Sequence, residues 1–396
     1  MSVEAVAKAQ PAEAEQFQTD GVITVSAAHA VHDTYSAFLS PLLPVFIENL
    51  ALSKVEAGLL TVFSQGPSLL QPLIGHLADR VSLRFLVILA PGVSATAMSL
   101  LGIAPSYAVI ALLLMVAGLN SATFHSVGPV MAGRLSGKNL GRGMGFWMVG
   151  GELGRTLGPL AIAAYVSLRP DSLAELPWLM VGGWLASLLL YVRLRDVSAR
   201  APDGAKGLPW RQALQVMRPI LVPVIAVIFV RAFMSAALTT YLPVFLTGEG
   251  AQLWFAGISL SVLEVAGVVG ALLGGSLSDR LGRRTVLAIS LTATPILMVA
   301  FLATTGWLRI PLLLALGLSA LSVTPVVMAV VQESSPDSRA LANGVYMALN
   351  FGIRSAVVVA VGAMGDLWGM RLAFTVSAIV PLLGLPFLLM LPARRN

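Results

Sequence analysis

Apolar windows of about 20 residues, the length a helix needs to cross a hydrocarbon core, recur from residue 21 almost to the end of the chain. A chain built this way is confined to structures that satisfy their own backbone hydrogen bonds in lipid. The windows fall near 21–47, 55–78, 84–104, 107–133, 141–167 and 174–193. They resume near 218–246, 253–277, 285–305, 308–332, 340–365 and 370–391. Only 11% of the 396 residues are charged, against about 25% in a soluble domain. The chain therefore reads as an all-α integral membrane protein with 12 transmembrane helices in two six-helix bundles. The expected divisions are an N-terminal tail over 1–20, a first bundle over 21–194, a linker over 195–217 and a second bundle over 218–396. The linker carries bases, Pro and Gly, and the tail lacks the basic-then-apolar order of a signal peptide.

Lys and Arg orient the chain. With the N-terminus inside, 18 of the 25 bases lie on the cytoplasmic side. Outside lie Lys54, Arg169, Arg309 and Arg371, while Arg155, Arg231 and Arg354 lie within windows. Such a bias follows the positive-inside rule and places both termini in the cytoplasm. It also accounts for a pI near 10 without nucleic acid. Cysteine is absent, which excludes disulfides and thiol catalysis. No phosphate-cradling G-x-x-x-x-G-K-[ST] loop occurs, so ATP is not expected to act directly. Zinc-type spacings and Ser-His-Asp motifs are missing as well. Neither an enzyme nor a cofactor or metal is expected.

The two halves repeat. GHLADRVSLR, Gly75 to Arg84, returns as GSLSDRLGRR, Gly275 to Arg284. LPVF at Leu43 to Phe46 returns at Leu242 to Phe245, and GFWM at Gly145 returns as GVYM at Gly344. Offsets this uniform make the bundles pseudo-symmetric, an arrangement that in transporters puts the substrate at the midplane between repeats.

The G-x-L-x-D-R-x-G-R-R loop of the second copy resembles the signature between helices two and three of the major facilitator superfamily. The first copy has Ser82 and Leu83 where Gly and Arg are usual. Three further stretches resemble the fosmidomycin-resistance group of bacterial efflux proteins: HAVHD (His29 to Asp33), SLLQPLIG (Ser68 to Gly75) and NSATFH (Asn120 to His125). After that histidine the chain reads Ser126-Val127 where the group has Pro-Glu. GRTLGP, Gly154 to Pro159, is similar to half of an antiporter motif, with Ile162-Ala163 in place of its closing Gly-Gly. The resemblance implies a bacterial inner-membrane, multi-pass, monomeric transporter. It gives Gly75, Asp79, Arg80, Arg84, Gly275, Asp279, Arg280, Arg283 and Arg284 the role of a conformational latch; plain positive-inside anchoring is the simpler account.

Asp33, Glu152, Arg155, Arg231, Glu264 and Arg354 fall near span centres, as does His32, with His125 slightly nearer the cytoplasm. Each unpaired charge there costs about 2.5–3.5 kcal/mol, so these groups must face one another or water. They occupy spans 1, 4, 5, 7, 8 and 11, and a hydrated central cavity follows as the expectation. Asp33, with His29 four residues earlier on the same helical face and His32 beside it, is suited to proton exchange; Glu264 is the rival. Glu152 and Arg155, at i and i+3, serve either proton and substrate or simply each other. Arg231 and Arg354 have no acid within four residues, and a substrate would supply one. His125 joins the substrate candidates through the resemblance. Tyr35, Phe124, Trp147 and Tyr346 are candidates for an aromatic wall, ordinary packing being the alternative. Gly150, Gly154 and Gly158 form a stripe that close helix packing explains.

The expected function is proton-coupled antiport, exporting a small polar or anionic organic compound, in the manner of drug or antibiotic efflux. Guanidinium groups suit carboxylate or phosphonate, and the resemblance implies a phosphonate. The alternative is a proton-coupled symporter importing an organic anion. A sensor on a transporter fold would leave the mid-span charges without a task. Partners are the small-molecule substrate, protons and the lipid bilayer.

Overall fold

The structure, a computed structural model, describes residues 16–78, 81–137, 139–169, 173–197, 210–334 and 339–391. Among them helices form and no strand does. The first window is two helices, α1 (Thr19–Ser36) and α2 (Leu39–Asn49). The break at Ala37 and Phe38 lies just before Pro41 and Pro44, which lack the N–H groups that would donate to a continuous ladder. The second window is α3 (Lys54–Gln65), a 3₁₀ segment (Gly66–Leu70) and α4 (Gln71–Ala78). Then come α5 (Arg84–Ser99), α6 (Tyr107–Leu135), α7 (Leu140–Leu168) and α8 (Met180–Leu194).

The later chain continues with α9 (Trp210–Ser235), a π turn (Ala236–Tyr241) and α10 (Leu242–Gly248). Helix α9 begins eight residues before the expected window. Residues 210–217 are therefore helical, while residues 198–209 lie outside those described. Next are α11 (Leu253–Leu281), α12 (Arg283–Ala303), α13 (Arg309–Ala320) and α14 (Val323–Ser334), the last two separated at Leu321 and Ser322, three to four residues before Pro325. The series ends with α15 (Arg339–Trp368), α16 (Met370–Ile379) and the short α17 (Leu385–Leu388). Nine segments among the described residues are long and apolar enough to cross a membrane. Their apolar side chains also stand exposed, as at Leu112 (61%), Leu272 (63%) and Ile296 (70%). Apolar surface on that scale belongs against lipid.

Contacts divide the chain into two compact units. The first comprises 1–37, 70–158 and 172–203; the second comprises 38–69, 159–171 and 204–396. In the first, α5 packs against α1, α6 and α8, around a core including Val22, Val25, Ile88, Phe124, Val127 and Met131. The glycine stripe of α7 lies on α1. A Cβ at Gly150 would stand 2.2 Å from the Ser26 carbonyl oxygen, at Gly154 2.5 Å from that of Ala30, and at Gly158 2.4 Å from that of Thr34. Only a bare backbone permits this approach, so the stripe serves packing.

In the second unit α11 packs on α13, α9 on α15, and α3 on α15. At the N-terminus of α3, the Asp366 carboxylate accepts the backbone N–H of Lys54 at 2.8 Å and of Val55 at 2.9 Å. Ser53 and Glu56 add a reciprocal capping box. Tyr241 donates its hydroxyl to the Lys54 carbonyl at 2.8 Å or the Val358 carbonyl at 3.1 Å.

Candidate functional site

In the first unit an acid and three imidazoles meet inside the bundle. His29 and Asp33 lie one turn apart on α1, and Nε2 of His29 is 3.4 Å from Oδ2 of Asp33. From α6, Nε2 of His125 comes within 3.5 Å of Oδ1 of Asp33 and 3.2 Å of Nε2 of His29. Both Nδ1 atoms are engaged elsewhere: that of His29 is 2.8 Å from the Trp147 carbonyl oxygen, and that of His125 is 2.9 Å from the Ser121 carbonyl oxygen. A carbonyl only accepts, so each Nδ1 carries the hydrogen. With both rings neutral, each would point a bare Nε2 lone pair at the other ring and at a carboxylate. Three acceptors converging on one point form a receptor for a cation.

Aromatic packing holds the rings. Trp147 stacks on His29 with centroids 3.9 Å apart, and Phe124 stacks on His32 at 4.4 Å. The fit needs Gly151 on α7, where a Cβ would stand 2.6 Å from Cε1 of His29. His32 is fully buried. Its Nδ1 lies 3.0 Å from the Ser94 hydroxyl, which Asn120 also approaches at 2.8 Å. Its Nε2 has no hydrogen-bond partner and lies 3.9 Å from Oδ1 of Asp33. Asp33 is 6% exposed, whereas the His125 side chain is 32% exposed. The cluster is therefore least enclosed on the His125 side.

The other candidates separate into groups. Glu152 and Arg155 form an ion pair on α7. Tyr35 turns away to the Leu179 carbonyl at 2.5 Å. In the second unit the Arg231 guanidinium bonds the Thr324 hydroxyl and that of Tyr346; its Nε is buried with no hydrogen-bond partner. Arg354 donates to Thr239 at 2.9 Å. Arg231, Ser235, Thr239, Ser290 and Thr294 contribute to the wall of a small, otherwise mainly apolar cavity. Glu264 on α11 is 8% exposed. Of the loop residues, Arg283 pairs with Asp279 at 2.7 Å and Glu333 at 2.6 Å. Arg284 bonds the Leu391 carbonyl, and Arg84 sits over Phe85. Asp79, Arg80 and the Gly75 environment lie outside the described residues.

A helical membrane bundle with this internal repeat has known relatives. The family model of the Major Facilitator Superfamily matches residues 25–357 and 256–396. The chain belongs to the major facilitator superfamily. This facilitator is 24% identical to the Fosmidomycin resistance protein of Escherichia coli (strain K12), over 94% of its own length and 92% of the relative's. It is 25% identical to the uncharacterized MFS-type transporter YfnC of Bacillus subtilis (strain 168), over 93% and 92%. Among solved structures it resembles a bacterial homologue of the human lysosomal transporter Spinster, inward-facing and unoccupied. That likeness has a TM-score of 0.79 and 15% identity, covering 94% of this chain and 96% of that one. It also resembles the nucleoside transporter NupG, with a TM-score of 0.70 and 15% identity over 93% and 98%. At such identities these structures establish the fold and no more. The facilitator is a multi-pass membrane protein of a transporter family.

Sequence reasoning passed over Ser94, Asn120, Ser121, Thr239 and Thr324 as site residues. Asn120 had a signal, being an amide in the middle of an apolar span. The hydroxyl residues had none, because Ser and Thr are common in membrane helices and satisfy themselves on the preceding turn.

Proposed function

We propose that this facilitator is a proton-coupled antiporter exporting a small anionic organic compound, with Asp33 as the proton site and Glu264 as its rival. One observation carries the reading: the carboxylate of Asp33 and the Nε2 atoms of His29 and His125 converge within 3.2–3.5 Å. Such a cluster is incomplete without a positive charge, and intramembrane ionisable groups mark ion pathways. Arg231 and Arg354 would hold the anion, since guanidinium binds carboxylate and phosphonate in bidentate fashion. The name of the Escherichia coli relative, Fosmidomycin resistance protein, makes fosmidomycin the first probe. The carrier would cross with a proton in one direction and with substrate in the other, its two repeats rocking about the midplane. Both termini would lie in the cytoplasm, the chain would act as a monomer, and the 12 spans would divide six and six. Asp279, Arg283 and Glu333 would latch the cytoplasmic end of the second repeat.

The test is proton stoichiometry. Antiport requires that fosmidomycin, added to purified protein in weakly buffered detergent, release about one proton per molecule bound, and that Asp33→Asn remove this release. Proton uptake on binding would instead establish symport. If Asp33→Asn and Glu264→Gln each leave pH-driven flux intact in proteoliposomes, the coupling assignment is wrong.

A further inference from the structure

We infer that His29, Asp33 and His125 form a binding site for a divalent transition-metal ion of zinc's ligand preference. The inference goes beyond the transport reading and does not depend on it. Zinc takes His nitrogen at about 2.0–2.1 Å and carboxylate oxygen at about 2.0–2.2 Å in tetrahedral array, so its ligand atoms stand about 3.3–3.5 Å apart. The three separations here are 3.2 Å between the two Nε2 atoms, 3.4 Å from His29 to the carboxylate and 3.5 Å from His125 to it. The two carboxylate distances end on different oxygens, Oδ2 for His29 and Oδ1 for His125, so the cluster offers two imidazoles and a carboxylate at near-ligand spacing.

The surroundings match as well. A metal-bound imidazole almost always donates its other N–H to a carbonyl or carboxylate, which fixes the tautomer and raises ligand basicity. Both rings do so, His29 to Trp147 and His125 to Ser121. Each holds its Nε2 lone pair toward the shared centre. The stacked Trp147 and the bare Gly151 fix the His29 ring plane. Buried His32, with its Nε2 3.9 Å from Asp33, borders the carboxylate without being one of the three ligands. With three protein ligands, a fourth coordination position would remain for an exogenous ligand. Two imidazoles and one carboxylate favour zinc, copper or nickel over magnesium or calcium, which prefer oxygen. Metal and proton would compete for the same lone pairs, so binding releases protons and weakens as pH falls.

The experiment uses the full chain, purified in detergent, stripped with chelator and titrated with zinc chloride by calorimetry at neutral pH. Zinc absorption spectroscopy on the loaded wild-type chain is the second readout. We expect one zinc per chain, two imidazoles in its scattering shell, and at least tenfold weaker binding in His29→Gln and in His125→Gln. Absence of stoichiometric binding overturns the proposal. So does a shell without imidazole, or unchanged affinity in the His29→Gln/His125→Gln double variant. The wild-type spectrum decides even if a variant fails to fold. No gradient or substrate is present, so metal binding and proton coupling can fail independently.

Discussion

Nε2 of His29 and Nε2 of His125 face each other at 3.2 Å across two helices, each ring anchored through Nδ1 to a backbone carbonyl. That relationship turns two ordinary histidines into one cation receptor, and Gly151 maintains it. A Cβ there would stand 2.6 Å from the His29 ring. Gly151→Ala should displace the ring, destabilise the chain by about 1–3 kcal/mol and lower both zinc affinity and coupled transport by roughly tenfold or more. A thermal melt combined with zinc titration checks it. Unchanged affinity in the variant would show that the ring does not need this seat.

Asn120 bridges the Ala90 carbonyl at 2.9 Å and the Ser94 hydroxyl at 2.8 Å, and Ser94 in turn meets His32. Asn120→Leu would leave buried acceptors unmet at a cost of about 1–3 kcal/mol. The melting temperature should fall, and the NMR signals of selectively labelled His32 should shift while those of His125 move less. Equal shifts at both rings would argue against a local connection.

Arg231 bonds Thr324 and Tyr346, yet its buried Nε lacks a partner. An anion arriving in the adjoining cavity would satisfy it. Arg231→Lys keeps the charge but loses the planar fork. Substrate affinity should drop about 10- to 100-fold, the equivalent of about 1.5–3 kcal/mol for a charged hydrogen bond, with little change in thermal stability. Direct binding assays on Arg231→Lys and Tyr346→Phe make the comparison. If anion binding survives both unchanged, this cavity is not the anion site.

Asp366 caps α3 by accepting two successive N–H groups. Asparagine offers a single oxygen and no charge, so Asp366→Asn should cost about 1–2 kcal/mol. A melting temperature lower by roughly 2–4 °C is expected. Lys54→Met removes only the 3.4 Å side-chain contact and should cost at most about 1 kcal/mol, as partly exposed ion pairs do. Differential scanning fluorimetry of the two variants separates cap from ion pair. Equal shifts would show that the ion pair, not the cap, matters.

Much of this was legible in the chain itself. Apolar length and the scarcity of charge fixed a helical membrane protein, because lipid leaves the backbone no other way to satisfy its polar groups. The spacing of His29 and Asp33 announced their shared face, since four residues make roughly one helical turn. The stripe of Gly150, Gly154 and Gly158 announced a close helix contact, which α1 supplies. Breaks within windows were less visible: prolines mark where a ladder can fail, but Pro159 and Pro295 lie within unbroken helices.

What the sequence by itself determined is thus the solvent, the helices and which residues share a helical face, all consequences of local periodicity. Tertiary packing alone brings His125 to His29, 96 positions earlier in the chain, and lets a carbonyl of Trp147 set the His29 tautomer. It also gave Asp33 imidazole partners from two helices. Spacing rules find ligands that lie on one strand or one helical turn. This receptor draws its ligands from α1 and α6 and its backing from α7, and no periodicity within one helix encodes how closely another helix will approach.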